Sequence, residues 1–140
     1  MTTAQASVPL LHRFLGIGLV ILATVFVGLY VFGRTPLLPP DEVTRVIAYV
    51  LSGVSVVLLG VAFLILKPRV PARRAGQSEA DYWTTPDAAG KIMQVWFVVE
   101  GAGTLSAVGF LLTGEPVAAI VMGAAVAAFW VVGPNAFAHA

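Results

Sequence analysis

Four long apolar stretches, separated by short polar segments, dominate the chain: 14–32, 46–66, 92–112 and 116–132. A bilayer core needs about 20 apolar residues per helix, with a range of roughly 17 to 25. Only helices and closed barrels satisfy every backbone N–H and C=O in lipid. Runs of this length and continuity are helical, so the pattern specifies an all-α integral membrane protein. The expected fold is an antiparallel bundle of four transmembrane helices forming one domain over residues 1–140. Its composition agrees: 59% of the 140 residues are hydrophobic and 11% charged, where soluble domains carry about 25% charged residues.

The connections set the order of packing. Thr113-Gly114-Glu115 leads into Pro116, a residue suited to the first turn of a helix, so spans three and four form a tight antiparallel hairpin. The segment 33–45 holds three prolines, and Asp41 is placed to cap the following helix. The first span is read as retained, since its apolar run is too long for a signal peptide and lacks a small-x-small exit. Of the 8 basic residues, Arg34 and Arg45 lie on one side. Arg13, Lys67, Arg69, Arg73, Arg74 and Lys91 lie on the other. By the positive-inside rule both termini and the loop 67–91 are cytoplasmic, and the expected location is the bacterial cytoplasmic (inner) membrane. The basic run Lys67, Arg69, Arg73 and Arg74 is placed to meet lipid headgroups, each charge worth about 1 kcal/mol near an anionic surface. Tyr82 and Trp83 are expected as aromatic anchors at the interface.

Small residues concentrate in the last two spans. Lipid exerts no hydrophobic force between helices, so close approach through small side chains drives their association. Span three holds Gly101 and the small-xxx-small pairs Ala102–Ser106 and Gly103–Ala107, and span four the stripe Ala119, Gly123 and Ala127. They serve either packing within the bundle or contact with other copies or other subunits.

One charged residue, Glu100, lies inside these stretches. An ionised side chain in a bilayer costs about 3 kcal/mol or more on insertion scales, so such a group faces a protein interior, a water path or a partner. It sits roughly 12 Å along its span, at 1.5 Å per residue from Ile92. Matching depth on the other spans brings Thr24 and Ser55 to about this level, and Thr104 lies one turn along the same helix. No lysine, arginine or histidine is available there, which favours the neutral acid with hydroxyl partners. Three roles stay open: a hydrogen-bonded brace, a proton- or cation-exchanging group, or half of a pair completed by another subunit.

The segment from Gln94 to Leu111, with Glu100 followed by Gly101, Ala102 and Gly103, resembles the carboxylate helix of rotary ATP synthase c subunits, the proteolipids. That resemblance implies a proton- or cation-binding carboxyl at Glu100. It does not extend to a glycine-dense partner helix, since span two has only Gly53 and Gly60. The chain also looks like small four-span bacterial membrane proteins with an E-G-x-small segment in span three, which implies no activity.

Other classes find little footing. Four-span multidrug exporters carry their membrane glutamate in the first span, which here has no acid. His12 and His139, near the two chain ends, are badly placed for haem ligation at bundle depth. With no cysteine, thiolate metal sites and cysteine nucleophiles are absent. No phosphate-binding, dinucleotide or metal-spacing motif appears, and a net charge of +1 gives no footing to a nucleic-acid partner. The expectation is a non-enzymatic protein without cofactor or catalytic residues. It is read as an accessory or structural subunit of a larger membrane assembly; the alternative is a proton- or cation-handling protein working through Glu100.

Overall fold

The computed structural model describes residues 3–138, and every regular element among them is helical. Helix α1 runs Thr3–Val31 and α2 runs Glu42–Gly60; α2 continues through a π-helical turn, Val61–Leu66, and a 3-10 turn, Lys67–Arg69. A short α3, Glu79–Thr84, precedes the long α4, Pro86–Thr113, and then come α5, Pro116–Val131, and the single-turn α6, Asn135–Ala138.

Three of these helices, over Val8–Val31, Glu42–Arg69 and Pro86–Thr113, are long and apolar enough to cross a membrane. The fourth expected span, α5, is equally apolar but has 16 residues. At 1.5 Å per residue that is roughly 24 Å, short of the about 30 Å of a bilayer core.

Helix α4 runs through the middle. It packs against α1, α2 and α5, while α1 rests on α4 and α5 and makes little contact with α2. Burial follows this plan: 50% of the apolar stretch of α4 is buried, against 11% of that of α1. The outward faces of α1 and α2 carry Phe14, Ile21, Val46, Val57 and Leu64, all exposed. Apolar side chains in such a row are suited to lipid, not water.

Glycine makes the helix contacts close. A Cβ on Gly103 would stand 2.8 Å from Leu19 of α1 and 3.4 Å from Ala125 of α5. One on Gly16 would stand 3.1 Å from both Phe129 and Trp130. Ser106 and Ala107 are buried between helices, and the Ser106 hydroxyl donates back to the carbonyls of Ala102 and Gly103. Gly101, Gly123 and Ala127 point outward instead, with Ala119 half-buried against the second core cluster. The small residues thus divide into an inner set that packs the bundle and an outer set left uncovered.

Both ends of the bundle are tied. Asp41 caps α2, accepting the N–H of Thr44 at 2.8 Å. Gly114 ends α4 in the left-handed region (φ 64) and Pro116 opens α5, so the hairpin turn is as tight as its sequence indicates. The N–H groups of Leu37 and Leu38 donate to the carbonyls of Leu111 and Leu112, pinning the first connection to the end of α4.

The opposite end departs from expectation. Helix α4 begins at Pro86, not Ile92, and the preceding segment folds into α3. Ser78 caps α3, its hydroxyl accepting the N–H of Asp81 at 3.0 Å. This places Tyr82 and Trp83 inside the main core cluster at 2% and 3% exposure, so they are core residues and not interfacial anchors. The polar ends of both find partners within the chain. Tyr82 donates to the carbonyl of Pro71 at 2.9 Å, and the Trp83 indole donates to Glu79 at 3.2 Å.

Candidate functional site

Glu100 stands at the middle of α4, further from the start of its helix than a count from Ile92 puts it, and its immediate partner is Thr104. The Thr104 hydroxyl donates to Glu100 Oε1 at 3.0 Å, a contact made by the i, i+4 spacing of one helix face. The carboxyl group is only partly buried. Among the described residues, ion pairs join Arg45 to Glu115 and Lys91 to Asp87, and none reaches Glu100.

The other depth-matched hydroxyls lie elsewhere. Thr24 is exposed and donates to the carbonyl of Val20 at 2.8 Å; Ser55 is fully buried and donates to that of Leu51 at 3.0 Å. Direction around α4 explains the separation. Gly109 of α4 meets Leu51 of α2, and Glu100 lies nine residues earlier, about two and a half turns, so it points away from α2. Gly103 meets Leu19 of α1 and lies within a quarter turn of Glu100. Glu100 therefore borders α1 on the flank of α4 that α2 leaves open.

That flank has a distinct make-up. Phe97 is 51% exposed and Val108 36%. Between them, Gly101 has no atom within 4 Å of where a Cβ would stand. Glu100 and Thr104 form its polar margin toward α1, beside a patch with no side chain to fill it. The arrangement can hold a proton, accept a hydrogen bond or pair with a cation.

The basic side chains of the expected headgroup surface, Lys67, Arg69, Arg73 and Arg74, lie along the 3-10 turn and the segment after it. Lys67 lies over the Phe63 ring at 5.5 Å. No group of His, Asp and Glu able to hold a metal ion occurs among the described residues.

His12, weighed from the sequence only as a haem ligand, is a core residue. It is 2% exposed, stacked on Phe129 at 4.5 Å and tilted against Trp96 at 4.8 Å. Its Nε2 lies 3.0 Å from the carbonyl of Phe129; a carbonyl only accepts, so Nε2 carries the hydrogen. Trp96 donates to the carbonyl of Val132 at 2.6 Å. Together these bonds fasten the start of α1 and the start of α4 to the end of α5. The signal was present as a buried stripe of α1, Val8, His12, Gly16 and Leu19, at spacings of three and four. His139 lies outside the described residues.

Comparison with known proteins supplies no relative: no family model, curated protein or solved structure matches the chain.

Proposed function

We propose that this protein is a non-enzymatic accessory subunit of a larger membrane assembly, held to its neighbour through the open flank of α4 that Glu100 borders. The observation that carries this reading is a partly exposed carboxyl at the edge of a flank its own bundle only partly covers, bonded to Thr104 and next to the open Gly101. Lipid tails offer such a group nothing to bond, and a neighbouring helix does. The outward small residues Gly123 and Ala127 of α5 suit a second close contact, with another subunit or another copy. In this reading the chain crosses the bacterial cytoplasmic membrane with both termini and the basic segment inside, as the lysine and arginine distribution favours.

Purification from the native membrane in mild detergent tests it. A larger assembly is expected, retained by Glu100→Gln, which keeps the shape and a hydrogen-bonding end, and lost in Glu100→Leu. A monomer that purifies without partners, or an assembly indifferent to Glu100→Leu, overturns the reading.

A second reading is proton or cation exchange at Glu100, favoured by the accessibility of the carboxyl and the resemblance of its helix to rotor proteolipids. Labelling by a membrane-soluble carbodiimide, together with loss of proton-linked activity in Glu100→Gln, is expected from exchange. An inert carboxyl refutes it.

A further inference from the structure

At the end of the bundle where α1 begins and α5 finishes, a cleft of about 390 Å³ opens between α1, α3, α5 and α6. Its wall carries Arg13 from α1, Glu79 from α3, Trp130 from α5 and Asn135 from α6. Arg13 and Glu79 have opposite charges and are both exposed, yet no ion pair joins them. The Glu79 carboxylate is held in place by the Trp83 indole, which donates to one of its oxygens at 3.2 Å. His12, fixed against Phe129, closes the inner side.

Apolar surface runs away from this cleft along two helices. On the Arg13 face of α1, Ile17 and Val20 follow at i+4 and i+7, 52% and 39% exposed. On α5, Trp130 and Val131 at the cleft are 49% and 64% exposed, and Ile120 further along is 71% exposed. A ligand suited to both features has a head with separate positive and negative groups and a long apolar tail. A phosphate oxygen would meet the Arg13 guanidinium and the Asn135 amide in charge-assisted bonds. A primary ammonium would meet the Glu79 carboxylate and the Trp130 ring.

We propose that this cleft binds the zwitterionic headgroup of an aminophospholipid of the phosphatidylethanolamine type. Glu79 disfavours purely anionic headgroups, and a trimethylated ammonium has no hydrogen to donate to it. The proposal is independent of Glu100, which lies on α4 and does not line the cleft.

Full-length protein in phosphatidylcholine vesicles provides the test, with brominated phosphatidylethanolamine, phosphatidylglycerol or phosphatidylcholine as probe and quenching of Trp130 as readout. Trp83 and Trp96 are buried at 3% and 0% exposure, and Trp130→Phe supplies their background. One charge-assisted contact distinguishes the headgroups, so phosphatidylethanolamine is expected to associate roughly tenfold more strongly than phosphatidylcholine or phosphatidylglycerol. Glu79→Gln keeps an acceptor for Trp83 and is expected to erase the preference over phosphatidylglycerol. Arg13→Gln is expected to weaken both phosphatidylethanolamine and phosphatidylglycerol. Equal association of the three lipids, a preference for phosphatidylglycerol, or a preference unchanged by Glu79→Gln overturns the proposal. Equal competition by soluble glycerophosphoethanolamine also overturns it, in favour of a water-soluble ligand.

Discussion

Gly103→Ala is the sharpest probe of how this bundle is held together. The added methyl would sit 2.8 and 3.0 Å from the two terminal carbons of Leu19 and 3.4 Å from Ala125. Carbon atoms prefer about 3.5–4.0 Å, so Leu19 or the whole of α1 must retreat by roughly 0.5–1 Å. Leu19 is 2% exposed and has little room to turn aside. Overpacking of this kind costs about 1–3 kcal/mol, and replacing a helical glycine by alanine returns at most about 1 kcal/mol. A net loss of about 0–2 kcal/mol is expected, centred near 1. The matched control is Gly101→Ala, two residues away and nearly opposite on α4, where no atom lies within 4 Å of the new methyl. It should be neutral or stabilising by up to about 1 kcal/mol. Denaturant unfolding of the monomer in detergent, followed by tryptophan emission, measures both. Combining Gly103→Ala with Leu19→Ala frees the space, so the double variant should be more stable than the sum of the single losses, by about the energy of the clash. Equal behaviour of Gly103→Ala and Gly101→Ala, or strict additivity with Leu19→Ala, would refute the argument.

Three further outcomes are expected. Ser52 is 3% exposed and its hydroxyl has no hydrogen-bond partner, so Ser52→Ala should stabilise the protein by about 1 kcal/mol in the same unfolding assay. Trp96→Phe removes the bond to the Val132 carbonyl and some fully buried volume, and should cost about 2 kcal/mol. The N–H of Thr44 holds the Asp41 carboxyl below the usual carboxylate range. That stabilisation is therefore complete above the unfolded value of about 3.9 and is lost as pH falls through the lower folded value. Asp41→Asn keeps a cap and should flatten this part of the acid-unfolding curve.

The sequence carried helix length and turn chemistry well and direction poorly. Apolar run lengths marked the long helices, and Thr113 to Pro116 marked the hairpin, because length and turn chemistry are local properties. Thr104 was equally legible as the partner of Glu100, but the distance of Glu100 along its helix was not: α4 starts six residues before Ile92 and puts Glu100 roughly 21 Å along, at its middle. Ser55, at similar depth, belongs to the opposite side of α4, since the angle between helices comes from tertiary contacts. The same limit hides which glycines face inward: Gly101 and Gly103 read alike in the sequence and point nearly opposite ways. Tyr82 and Trp83 resembled interfacial anchors because composition does not show a six-residue helix folded over the bundle end. His12 was legible in principle, as one member of a regular buried stripe.

The loose attachment of α1 bears on the order in which the protein is assembled. Translation delivers α1 first, yet the helices it packs against, α4 and α5, are made last. For that interval α1 must rest in lipid as an independent helix, without charge over Phe14 to Phe32 to draw it out. Helix α4, which carries Glu100, arrives when α1 and α2 already wait on either side. The residue least at home in the bilayer thus enters it after α1, the helix it borders, and the bundle closes around its middle helix.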